Sequence, residues 1–113
     1  MSERSVVQRL VEVISARKAM PPGSRSYVRS LIEGGDQVIC GKIIEEAAEV
    51  AEAAGEPGEP GRAHLVREIS DLLFHTLVLL GEKEISWGDI EAELARRFGV
   101  SGLDEKAARQ AIE

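Results

Sequence analysis

Apolar residues in this chain recur every three or four positions and never in strict alternation, so helices are predicted throughout. Val6, Val7, Leu10, Val13 and Ile14 define the first helix, from about Ser2 or Glu3 to about Lys18. "MPPGS", residues 20–24, ends it, because two prolines and a glycine cannot extend a helical hydrogen-bond ladder. Ser24 or Ser26 can cap a short second helix that stops at "EGG", residues 33–35. A main helix then runs from Asp36 to about Ala54, with the apolar stripe Val38, Ile39, Ile43, Ala47, Val50 and Ala54. "GEPGEPG", residues 55–61, is too short and charged to separate domains and is expected to be a loop between packed helices. The next helix spans about Arg62 to Gly81. Its second half, "LLFHTLVLL", is apolar on nearly every side and is expected to be the most buried part of the molecule. Ser86, with Asp89 at the third helical position, caps a fourth long helix that carries Ile90, Leu94 and Phe98 and ends at "RRFG", residues 96–99. From Leu103 the tail is either a last turn or two of helix or a segment that orders only with ligand. The expectation is one all-α domain over residues 1–113, with four main helices plus a short one and no internal repeat.

Composition narrows the function. A chain of 113 residues has one small core, which oligomerisation would strengthen. Twenty acidic against 14 basic residues give a net charge of −6, without the basic cluster a nucleic-acid binder needs. The longest apolar run is far too short to cross a bilayer, and the N-terminal residues have no signal-peptide core. Cys40 is the lone cysteine, so no internal disulfide can form, which suits a reducing cytoplasm. It is expected to be a small, partly buried helix residue.

An acidic protein can still bind a polyphosphate if metal ions stand between the two, and the acids here are patterned. In "KIIEEAAEV", residues 42–50, Glu45 and Glu49 share a helix face with Glu52, while Glu46 falls at the border of the apolar arc. On the next long helix Glu68 and Asp71 are three apart, with His75 four beyond and His64 four before Glu68, all on one face. Asp71 directly precedes Leu72, Leu73 and Phe74, so it is expected where the helix goes deepest and must find a counter-charge, a cation or a donor network. Converging carboxylates repel one another unless a cation offsets them, and Mg²⁺ is bound by one or two carboxylates with phosphates completing its shell. The competing reading is an ordinary solvated helix face, to which glutamate is well suited. Zinc is disfavoured, since His64 and His75 are eleven apart and Cys40 has no neighbouring ligand. His75 is expected to be a hydrogen-bonded histidine in or near the site. Among the cations, Arg17 and Lys18 end the first helix, Arg25 and Arg29 flank Tyr27, and Lys42 stands three before Glu45. Arg96, Arg97, Lys106 and Arg109 gather near the C-terminus. Each taken singly is ordinary surface charge, but some are needed to balance a multiply charged ligand.

Four ordered blocks carry a resemblance: "SYVRSLIEGG" (26–35), "KIIEEAAEVAEAA" (42–54), "EISDLLFHTLVLL" (68–80) and "RRFGVSGLDEKAAR" (96–109). Together with EExxE at 45–49 and ExxD at 68–71, they resemble the phosphoribosyl-ATP pyrophosphohydrolase family of the MazG-like nucleotide pyrophosphohydrolase superfamily. Ser70 stands where alanine is commoner in that motif. The resemblance implies a MazG-like helical bundle completed by dimerisation. It implies Mg²⁺-dependent cleavage of phosphoribosyl-ATP to phosphoribosyl-AMP and pyrophosphate, the second step of histidine biosynthesis, in a stand-alone cytoplasmic homodimer. Carried over by position, Glu45, Glu46, Glu49 and Asp71 match the metal-binding acids, with Glu68 completing the set. Glu46 is the expected water-activating carboxylate, with Glu45 beside it. Lys42, Arg17, Arg29, Tyr27, Lys106 and Arg109 are the expected substrate contacts. A house-cleaning nucleoside triphosphate pyrophosphatase shares the same acids, and a non-enzymatic helical interaction module is the rival outside enzymology.

Overall fold

The computed structural model describes residues 4–98, so Lys106, Arg109 and the expectations for Ser2, Glu3 and the tail lie outside the described residues. Within them the chain forms four α-helices and no strand: α1 (Val6–Lys18), α2 (Tyr27–Ala53), α3 (Gly58–Lys83) and α4 (Trp87–Arg96).

Local chemistry sets the helix starts. α1 begins later than predicted because Ser5 accepts from the Gln8 N–H while the Gln8 side chain accepts from the Ser5 N–H, each at 3.1 Å. That reciprocal pair satisfies two of the amides a helix start leaves unpaired. Ser26, one of the two serines the sequence offered, caps α2 through the Arg29 N–H (3.2 Å), and Ser86 caps α4 through the Asp89 N–H (3.1 Å), as expected.

Two glycines shape the middle of the molecule. The short second helix runs into the main one without a loop. It forms the first part of α2, set off at Gly35, whose φ of 76° and ψ of −172° are non-helical. That left-handed region suits glycine, which has no Cβ to clash. The predicted loop at 55–61 is also shorter, because α3 begins at Gly58 with Pro60 in its first turn, where no amide is required. A Cβ on Gly61 would lie 2.4 Å from the Glu56 carbonyl oxygen, so only glycine lets the hairpin close this tightly.

The short connection makes α2 and α3 antiparallel, and they share the largest interhelical interface. The core is Ile14, Val28, Leu31, Ile39, Leu77 and Val78, edged by Leu10, Phe74, Leu80 and Trp87. It sits where α1 lies across the C-terminal half of α3, which is the predicted most buried stretch. Each of the six buried side chains contributes roughly 1.5–3 kcal/mol on burial. α1 has 13 residues and α3 has 26, so α1 covers only half of the face it packs on. Along that face Leu77 is buried, whereas Val66, Ile69 and Leu73 are exposed. Val38 is exposed despite its place in the predicted apolar stripe, and Cys40 is exposed rather than partly buried. No described helix is long and apolar enough to cross a membrane.

A candidate acidic metal centre

The packing period of the hairpin explains how its acids meet. On α2, buried Ile39 and buried Ala53 are fourteen residues apart, with Glu46 midway. On α3, buried Gly61 and buried His75 are likewise fourteen apart, with Glu68 midway. A seven-residue spacing is two helical turns, so both glutamates occupy the seam where the helices face each other. Glu46 is therefore not at the border of the apolar arc. Ala47 and Ala54, which drew the predicted arc aside, are exposed.

Carboxylate oxygens of Glu46, Glu68 and Asp71 lie within 4.8 Å of one another. Glu46 Oε2 and Glu68 Oε2 are out of contact with solvent and have no hydrogen-bond partner. The Glu46 carboxyl is pushed up to about 7, first by burial and then by the neighbouring carboxylates of Glu49, Glu68 and Asp71. Both effects penalise the charged form. Oxygens buried without a donor, among like charges, match what a hard divalent cation would satisfy.

Asp71 differs from expectation. It lies within this group but is exposed, because deep burial along α3 begins one turn later, at His75. Its backbone carbonyl accepts from His75 Nδ1 (2.7 Å), and His75 Nε2 meets the Tyr27 hydroxyl (2.8 Å). His75 is thus the hydrogen-bonded histidine that the sequence suggested, beside the acids.

Glu45 lies outside this group, is exposed, and is paired with Lys42 at 3.5 Å. Glu49 is half-buried next to Glu46. Arg17 is exposed at the end of α1. Arg29 is mostly buried, held by Glu33 at 3.5 Å and by the Lys18 carbonyl at 3.4 Å.

One arrangement escaped sequence reasoning. His64 Nδ1 sits 2.9 and 3.1 Å from the two oxygens of Glu56, and its Nε2 is 3.2 Å from Glu68. The Glu56 hydrogen bond leads in raising the His64 pKa, which favours an imidazolium facing both acids. The four-residue spacing from His64 to Glu68 was visible in the sequence. The approach of Glu56 depends on the hairpin turn and was not.

A helical hairpin with carboxylates from both arms at one seam level defines an all-α protein with a candidate divalent-cation site. The particular family follows from comparison with known sequences. The family model described as "Phosphoribosyl-ATP pyrophosphohydrolase" matches residues 7–98, and the chain belongs to that family. A protein of Nitrosospira multiformis named phosphoribosyl-ATP pyrophosphatase is 49% identical over 111 residues, covering 98% of this chain and 88% of that protein. Proteins of the same name from Geobacter sulfurreducens (49% over 110 residues, 96% and 98% covered) and Azoarcus sp. (43% over 110 residues, 97% and 99% covered) are similar throughout.

Proposed function

We propose that this chain hydrolyses phosphoribosyl-ATP to phosphoribosyl-AMP and pyrophosphate with Mg²⁺, as a cytoplasmic homodimer acting at the second step of histidine biosynthesis. The observation that carries the reading is the meeting of the Glu46, Glu68 and Asp71 carboxylates in a chain matched along residues 7–98 by this family.

The donor set suits the ion: all oxygen, multiply anionic, and with two orphaned buried oxygens. Glu46, Glu68 and Asp71 hold it, with Glu49 adjoining. Glu45 joins only by leaving Lys42. When bound, Mg²⁺ supplies charge neutralisation for the phosphates. In this reading Glu46 takes a proton from the attacking water. The water oxygen bonds to phosphorus, the α–β anhydride bond breaks, and pyrophosphate leaves with the bonding electron pair. Lys42, half-exposed one turn before the acids, contacts the phosphates as a point charge. Arg17, Arg29, Lys106 and Arg109 are further proposed contacts, and Arg29 must first exchange its present partners.

The dimer is supported by the apolar stripe of Val66 (65% exposed), Ile69 (48%) and Leu73 (38%), which continues the face that α1 covers farther along α3. A second copy covers it in this reading. Light scattering should give twice the chain mass, and Ile69→Glu should shift it towards the single chain.

Pyrophosphate release from phosphoribosyl-ATP and from a panel of ordinary triphosphates, with and without Mg²⁺, tests the activity. Preference for phosphoribosyl-ATP supports the reading. Equal use of the panel would indicate a house-cleaning pyrophosphatase, and no Mg²⁺-dependent release from any substrate would indicate an interaction module.

A further inference from the structure

Tyr27, His75 and Asp71 form a hydrogen-bond chain whose direction is fixed by its inner end. The Asp71 carbonyl has no proton to give, so His75 Nδ1 must donate across their 2.7 Å contact. In the neutral ring Nε2 is then a lone-pair acceptor, and the Tyr27 hydroxyl donates to it across 2.8 Å. That uses the hydroxyl's only proton. The His75 ring is 5% exposed and edge-on to Phe74, with ring centres 5.1 Å apart. Phe74 also lies near-parallel to Tyr27 at 6.0 Å, so the tyrosine ring is bracketed on two sides. Tyr27 itself is 51% exposed, and with its proton committed to His75 its oxygen has only lone pairs to offer a ligand.

We propose that Tyr27 is a specificity-determining residue that accepts a hydrogen bond from an N–H or O–H donor on the nucleoside portion of the substrate and makes no bond to its phosphates. This rests on the nucleotide pyrophosphohydrolase reading above. Ionised phosphate oxygens only accept, so against this hydroxyl they set lone pair against lone pair. Ribose hydroxyls and the exocyclic nitrogen of a purine carry the proton it lacks. Asp71 links the two parts of the site: its carboxylate lies in the metal group and its carbonyl orients His75. A nucleotide with its phosphates at the acids therefore has its nucleoside within reach of Tyr27. His75 acts through Tyr27 and is a positioning residue.

Product inhibition separates the two halves of the ligand. Tyr27→Phe keeps the ring and removes the acceptor. At about pH 8, where imidazole is ordinarily neutral, this variant should weaken inhibition by phosphoribosyl-AMP about five- to tenfold. Inhibition by pyrophosphate should be unchanged, and the loss in turnover should lie in KM rather than kcat. Equal weakening towards both products would overturn the proposal, as would no change towards either. Wild-type protein gives an arm independent of the variant's folding. A 2′-deoxy analogue of phosphoribosyl-AMP that binds five- to tenfold more weakly assigns the ribose hydroxyl, and one with oxygen replacing the exocyclic nitrogen does the same for the amine. Failure of the wild type to hydrolyse phosphoribosyl-ATP would count against the functional reading alone, because direct binding of the two products still tests Tyr27.

Discussion

Two levels of the α2–α3 hairpin share one packing period and carry opposite chemistry. At one, Ile39, Leu77 and Val78 are almost wholly buried and uncharged. Two turns along α2 from Ile39, and two turns back along α3 from His75 in the same buried stretch as Leu77 and Val78, the seam is occupied by Glu46 and Glu68, with two oxygens that lack partners. Buried Ala53 and Gly61 lie beyond the acids and close the hairpin. The acids are thus held between two packed levels rather than placed on a free surface. Packing on either side fixes their approach.

The largest effect expected is on turnover. Glu46→Gln should cut kcat about 10²–10⁴-fold, the usual worth of a positioned acid or base, with an unchanged circular dichroism spectrum. Near-normal turnover would remove Glu46 from the chemistry. Leu77→Ala, at the apolar level, should instead cost about 2–5 kcal/mol in denaturant unfolding while keeping Mg²⁺ binding in the folded protein. Loss of both together would mean that the two levels are not separable.

The pH dependence of stability sharpens the contrast. Folded Glu46 keeps its proton to about 7, against an ordinary value of 4.5, so the folded state binds more protons between those limits. Stability without metal should therefore be full below about pH 4.5 and fall as pH rises through 7. Thermal melts should show this slope, and Mg²⁺ or Glu46→Gln should flatten it. His64, also raised, adds a slope of the same sign, which His64→Gln removes. The smallest effect belongs to the exposed Lys42–Glu45 pair. Lys42→Met should change stability by less than about 1 kcal/mol yet raise KM if Lys42 meets phosphate.

Much of this was legible in the sequence. Ser86 announced its cap, the cap of α2 was narrowed to Ser24 or Ser26, and the two acidic motifs announced that acids of α2 and α3 lie together. The seam position of Glu46 was not legible, because exposed alanines weigh as apolar on a helical wheel while the true stripe is set by the partner helix. The exposure of Asp71 was hidden for a related reason: an apolar run does not say which neighbour covers it. α1 reaches Leu77 and stops short of Val66. The Glu56–His64–Glu68 bridge depends on the tight turn that Gly61 permits, a backbone approach without a side-chain signature.

The central claim is that the seam carboxylates are kept for a cation at the expense of the metal-free fold. Thermal melts of Glu46→Leu against wild type, with and without Mg²⁺, test it most directly. The account predicts a higher melting temperature for the variant without metal and a much smaller Mg²⁺-induced rise. A lower metal-free melting temperature, with the full Mg²⁺-induced rise retained, would contradict it.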